Sequence, residues 1–172
     1  KLHMKKTVLL LFLIATATVY GQKKNADTVE KEKITKLLDE WHAAAGRADF
    51  NAYFGKLTEN SIFIGTDATE NWNKKEFEAF AKPYFDKGKA WDFKVLERNI
   101  FLNNDGKLAW FDELLDTQMK ICRGSGVLEK INGKWMIRHY VLSATVPNDV
   151  IDEVIKVKTP IEDKLIETLK KK

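Results

Sequence analysis

Asn132-Gly133 stands between two long runs that read as strands, Met119 to Lys130 and Lys134 to Ser143. Asparagine and glycine tolerate the positive φ of a tight hairpin turn, so the pair ties these runs into antiparallel strands. A second turn, Asn103-Asn104-Asp105-Gly106, joins a run from Trp91 to Leu102 with one from Lys107 to Asp116. A chain whose second half is an array of long hairpins has to bury one face of a sheet. The first half supplies the cover.

That first half reads as helices. Asp27 with Glu30 forms a capping box, and Ile34, Leu37, Leu38, Trp41, Ala44 and Ala45 follow at helical spacing. Gly46-Arg47-Ala48-Asp49 breaks the pattern. A short helix over Phe50 to Leu57 turns Tyr53 and Phe54 inward, and Ser61 to Ile64 is a strand. Gly65 to Asn73 is a polar loop. Asn73 with Glu76 opens a third helix carrying Phe77, Phe80, Ala81 and Tyr84, with Pro83 near its end. The fold class is therefore α+β: about three helices on one face of a curved antiparallel sheet, followed by a C-terminal helical tail. Thr159-Pro160-Ile161-Glu162 is the expected start of the tail helix, with Ile161, Leu165, Ile166 and Leu169 as its apolar stripe. The expected division is 27–149 for the domain and 150–172 for the tail.

The N-terminus has its own logic. Lys5-Lys6 precede an uncharged run from Thr7 to Tyr20, and Val19 and Gly21 stand at −3 and −1 to a cut before Gln22. This is the pattern of a secretory signal peptide over residues 1–21, Lys1 to His3 lying upstream of Met4. The run is short for a membrane span and no cysteine flanks the cut, so no stable membrane or lipid anchor is expected. The expected address is secreted or periplasmic. Removing residues 1–21 takes away three lysines and no acid, so the net charge falls from +4 to +1. No basic groove for nucleic acid is implied.

The inventory of reactive side chains is small. Cys122 is the one cysteine, which excludes an internal disulfide. The three histidines, His3, His42 and His139, are scattered, and neither a metal site nor a cofactor is expected.

Pocket candidates depend on register. A two-residue turn pairs Ile131 with Lys134, whereas a three-residue loop pairs Lys130 with Lys134. The second is preferred. It gathers Cys122, Gly124, Gly126 and Leu128 with Met136, Arg138, Tyr140 and Leu142, where two glycines leave a hollow beside Tyr140. Val127, Trp135, Ile137, His139 and Val141 then form a packable reverse face. On the preceding strand, Leu108, Trp110, Asp112 and Leu114 share one face and Ala109, Phe111, Glu113 and Leu115 the other. Asp112, amid apolar neighbours, is the candidate general base, with Tyr140 or His42 as proton partner. Trp41, Tyr53, Phe63, Trp72, Phe80, Tyr84 and Trp110 are candidates to line an apolar pocket. Thr66, Asp67, Cys122 and Tyr140 are its candidate polar and small contacts.

The order helix, short helix, strand, helix and long hairpins resembles the nuclear transport factor 2-like superfamily, and SnoaL-like domain proteins in particular. The resemblance is carried over roughly residues 28–149 by Trp41-His42, Asp49-Phe50, Tyr53, Phe63-Ile64-Gly65-Thr66-Asp67, Trp72, Phe77 and Trp110-Phe111-Asp112-Glu113. Cys122 to Leu128, Gly133 to Tyr140, Leu142-Ser143 and Val146 to Asp149 complete it. It implies a cone-shaped α+β barrel with a pocket between helices and sheet, often dimeric through the sheet. In a gap-free match on Asp49, the tyrosine of the steroid isomerases falls on Trp41 and their base on Gly65, so that chemistry is disfavoured. The expected role is binding of a small lipophilic molecule. A metal-independent lyase, isomerase or hydrolase based on Asp112 and a dimeric interaction module are the alternatives.

Overall fold

A computed structural model describes residues 26–171. The leader expected over 1–21 lies outside the described residues. Helix α1 occupies residues 26–46, followed by α2 (Phe50–Phe54), β1 (Leu57–Ile64), β2 (Asn71–Asn73) and α3 (Lys74–Asp86). The hairpin array is β3 (Lys94–Leu102), β4 (Leu108–Thr117), β5 (Lys120–Ile131) and β6 (Lys134–Ala144), and a short 3-10 turn leads into α4 (Ile151–Leu169).

The six strands form one curved sheet in the order β2-β1-β6-β5-β4-β3. β1 runs parallel to β6, and every other pair is antiparallel. The sheet is open, with β2 and β3 as its edges, so the closed barrel suggested by the resemblance is not formed. The helices of the first half cover the concave face. Ile34, Leu38, Trp41, Ala44 and Ala45 of α1 are buried there, with Trp41 edge-on to Tyr140 of β6 at 4.7 Å between ring centroids.

Local signals explain the element boundaries. The Asn73–Glu76 box forms as expected: the Glu76 N–H donates to Asn73 Oδ1 at 3.1 Å, and the Asn73 N–H donates to Glu76 Oε2 at 2.9 Å. Ala48 adopts φ 55° at the break after α1, and Asp49 caps α2 by accepting from the Ala52 N–H at 3.0 Å. Glu30 plays a different part from the one expected. The helix is already running at residue 26, and Glu30 instead accepts from Lys130 Nζ and Trp135 Nε1, both at 2.7 Å, tying α1 to the β5–β6 hairpin.

Other expectations are corrected as well. The Asn132-Gly133 turn has two residues, with φ 49° and 79°, and Ile131 pairs with Lys134. This puts Trp135 and Ile137 on the concave side in place of Met136 and Arg138. A bulge at Arg138 then shifts the pairing, so that Leu128 faces Ile137 but Val127 faces His139. Beyond the bulge, Gly126 lies opposite Tyr140 and Gly124 opposite Leu142, which is the concave set expected for that half of the hairpin. Another correction concerns the tail. Thr159-Pro160 lies inside α4 and does not start it. Thr159 Oγ1 donates to the Ile155 carbonyl at 2.7 Å, an intrahelical bond, and no residue of α4 is buried.

The paired glycines of β5 do not leave a hollow. A methyl group on Gly126 would stand 2.6 Å from the His139 carbonyl oxygen and 2.7 Å from Phe111 Cε1, so Phe111 fills that space. Gly126→Ala is expected to lower unfolding free energy by about 1–3 kcal/mol through overpacking. Denaturant titration checks this; an unchanged midpoint refutes the close approach.

Candidate functional site

The concave face holds a buried charge cluster and, above it, an aromatic pocket. The cluster centres on Glu113 of β4, a fully buried residue between Phe111 and Leu115. Arg98 faces it from β3, and Gly124 faces it from β5. Because Gly124 has no side chain, Tyr140 of β6 reaches across β5 to Glu113; a methyl group at 124 would collide with the Tyr140 hydroxyl. The Tyr140 hydroxyl donates to Glu113 Oε1 at 3.1 Å, and His42 Nε2 of α1 lies 2.8 Å from the same oxygen. Arg98 Nε donates to Oε2 at 2.9 Å, and its Nη1 reaches Asp39 Oδ1 at 2.6 Å and the Thr35 carbonyl at 3.3 Å on α1.

Electrostatics define what this cluster does. Burial alone raises the pKa of the Glu113 carboxyl, but the hydrogen bond and charge of His42 and the charge of Arg98 outweigh it, and the net shift is downward. The ionised carboxylate only accepts, so His42 Nε2 carries the hydrogen of their bond. Burial, followed by the adjacent Glu113 charge, drives the Tyr140 phenol well above its ordinary range. Both Glu113 oxygens are engaged and the side chain is closed to solvent. Such a carboxylate is a counter-ion and a poor proton acceptor for a guest.

The pocket lies between the β1–β2 loop, α3, the segment before β3 and the β4–β5 turn. It encloses about 210 Å³ and is lined by Phe63, Gly65, Thr66, Glu70, Trp72, Phe77, Phe80, Trp91, Phe93, Gln118, Met119 and Leu142. Phe63 and Phe77 stack at 3.9 Å, and Trp72 stacks on Phe80 at 4.5 Å. The pocket joins the cluster below through Phe63, whose ring is 5.5 Å from Tyr140, and Phe93, 6.2 Å from His42.

Of the residues expected at a site, Phe63, Thr66, Trp72 and Phe80 line this pocket. Trp41 and Tyr53 are buried below it, stacked at 5.0 Å. His42 and Tyr140 do meet, on Glu113. Asp112 does not join them: it lies on the convex face, accepting from Asn99 Nδ2 at 3.1 Å. Trp110 shares that face, stacked on the exposed ring of Phe101 at 5.7 Å. Asp67 is spent on a turn, accepting from the Thr69 N–H and hydroxyl. Tyr84 borders a separate groove with Lys89 and Asp92. Cys122 is buried against the Thr117 hydroxyl at 3.5 Å.

Sequence reasoning passed over Glu113, Arg98 and Glu70. The available signal for Glu113 was its place between Phe111 and Leu115, opposite a glycine. Among the described residues, no group of three or more His, Cys, Asp or Glu side chains is placed to hold a metal ion.

The cluster generates a stability prediction. Glu113→Gln leaves the Arg98 guanidinium buried with a weakened partner and is expected to cost roughly 3–5 kcal/mol at neutral pH. Glu30 also has a lowered pKa, to about 2 from 4.5, chiefly through its bonds to Lys130 and Lys33. Groups depressed on folding contribute stability above their unfolded pKa and lose it as pH falls through the folded value. Wild-type stability is therefore expected to decline below pH 4.5 toward pH 2, with a shallower slope in the Gln variant. Melting curves across that range decide; equal slopes and equal midpoints refute the assignment.

A search of curated proteins returns no match. Solved structures show the same architecture. An NTF2-like protein from Pseudomonas putida KT2440 aligns with a TM-score of 0.60 at 15% identity, covering 72% of this chain and 92% of its own. A domain with a cystatin-like fold from Nostoc punctiforme PCC 73102 aligns with a TM-score of 0.60 at 18% identity, covering 84% and 99%. The association domain of C. elegans CaMKII aligns with a TM-score of 0.58 at 18% identity, covering 69% and 98%. At these identities the likeness is one of fold. The sequence profile of the SnoaL-like domain matches residues 34–147, most of the chain, and the protein belongs to the SnoaL-like domain family.

Proposed function

We propose that this domain binds a small apolar molecule in the pocket above the Glu113 cluster. The observation that carries the reading is the lining: rings of Phe63, Trp72, Phe77, Phe80, Trp91 and Phe93 surround about 210 Å³ with an open mouth, and few polar tips interrupt them. A volume of this size suits a guest of two or three fused rings. The cluster beneath acts as a positioning base for the wall. It fixes Tyr140 and His42, which in turn contact Phe63 and Phe93. A binding role needs no proton acceptor exposed to the guest, and Glu113 offers none.

The neutral fluorophore 1-aminoanthracene is a suitable probe. It is expected to bind with one site per chain, and Trp72→Ala is expected to weaken it about tenfold by removing a stacking face. Titration in which the variant binds as well as the wild type, or in which the wild type does not bind, ends this reading.

A second reading has its own observation. On the convex face, Trp110 is 49% exposed, Phe101 42% and Leu108 43%, an apolar patch at the turn end of the β3–β4 hairpin. We infer that this face covers a second copy of the chain. The neighbour from C. elegans is itself named an association domain. Sedimentation is expected to give a dimer that Trp110→Glu converts to monomer; a monomeric wild type at high concentration contradicts it.

A further inference from the structure

The pocket carries one formal charge. Of its twelve lining residues, Glu70 is the only one that ionises, and it is an acid. Its position is built. Gly65 leaves the space into which the Glu70 carboxylate fits, and any side chain at 65 would collide with Oε2. The backbone holds it there: the Asp67 N–H donates to Oε2 at 3.1 Å, the Gly65 N–H donates to the Glu70 carbonyl at 2.9 Å, and the Glu70 N–H donates to the Asp67 carbonyl at 3.0 Å.

What the carboxylate lacks is a positive partner. Glu113 has Arg98, Glu30 has Lys130, and Glu59 has Lys74. Among the described residues, no Lys, Arg or His nitrogen comes within 4 Å of the Glu70 carboxylate. Its surroundings reinforce the sign. Aromatic faces carry negative potential, and Trp72, Phe77 and Phe80 share the lining with it. A carboxylate set beside stacked rings attracts a cation by both charge and quadrupole, and it repels an acid or a phosphate.

Resting on the reading of this cavity as a ligand site, we propose that its ligand class is the organic cation: a protonated or quaternary amine on an apolar or aromatic body. The body packs against Phe63, Phe77 and Leu142. The nitrogen lies between Glu70 and the rings at the mouth, Trp72 and Phe80. Thr66 and Gln118 are the remaining polar contacts, and neither carries charge.

Three compounds of nearly one shape separate the charge from the body: phenyltrimethylammonium, tert-butylbenzene and 2-methyl-2-phenylpropanoate. Each displaces 1-aminoanthracene in competition, read by fluorescence and by calorimetry. The cation is expected to bind about tenfold more tightly than the neutral compound, with the anion weakest. Glu70→Gln, confirmed folded by its melting transition, is expected to bring the cation-to-neutral ratio within twofold. Equal wild-type affinities for cation and neutral compound, or a cation preference that persists in the Gln variant, overturn the cation assignment and leave an apolar pocket standing. If the fluorophore itself does not bind, both the assignment and the pocket reading fall.

Discussion

Glu113 is a full negative charge midway along β4 with no access to solvent, and much of the concave face follows from neutralising it. An isolated buried carboxylate is expensive enough to force either protonation or pairing. Here pairing wins, and it draws on four elements: Arg98 from β3, Tyr140 from β6, His42 from α1, and the empty side-chain position of Gly124 on β5. Arg98 in turn reaches Asp39 and the Thr35 carbonyl of α1. Two independent links therefore hold the helix on the sheet at this point, one through His42 and one through Arg98. Slipping β4 by one residue would carry Glu113 to the convex face and break its contacts with His42, Tyr140 and Arg98, so the cluster specifies register as well as docking.

The same alternation explains what could be read from the residues alone. Signals that act within a few residues came through. The Asn73–Glu76 box, the break at Gly46 to Asp49 and the Asn132-Gly133 hairpin each depend on local backbone chemistry, and each is present. Signals that depend on partners far along the chain did not. Glu30 has a local cap pattern but is claimed by Lys130 and Trp135 about a hundred residues later. The three residues of β2 become a strand only because β1 lies alongside. Turn length and bulge were confounded: the two-residue turn and the extra residue at Arg138 offset each other. The concave set beyond Val127 was thus anticipated, while Trp135 and Ile137 were placed on the opposite face.

The site suffered from the parity of β4. Asp112 and Glu113 are adjacent, and both have apolar neighbours two residues away. Composition favours neither face, since Trp110 and Leu114 look as suited to a core as Phe111 and Leu115. The distinction arises from the small residues: Ala109 faces inward on β4 itself, and Gly124 and Gly126 lie opposite Glu113 and Phe111. Small positions admit the large side chains of neighbouring strands, and they mark the crowded side. For Glu70 the corresponding signal was Gly65, the position from which a catalytic carboxylate was judged missing. The space of the absent side chain is taken by a carboxylate from five residues downstream.

Helix α4 differs from everything before it. None of its 19 residues is buried, and Ile155, Val157 and Ile161 are each more than half exposed. A helix of that length in water is held mainly by backbone propensity and a few intrahelical pairs, such as Lys158 with Glu162. Thermodynamically the cooperative unit closes with the last rung of β6. Heat or denaturant should therefore dismantle the appendage gradually, as a helix–coil equilibrium running ahead of the sharp transition of the sheet and its covering helices.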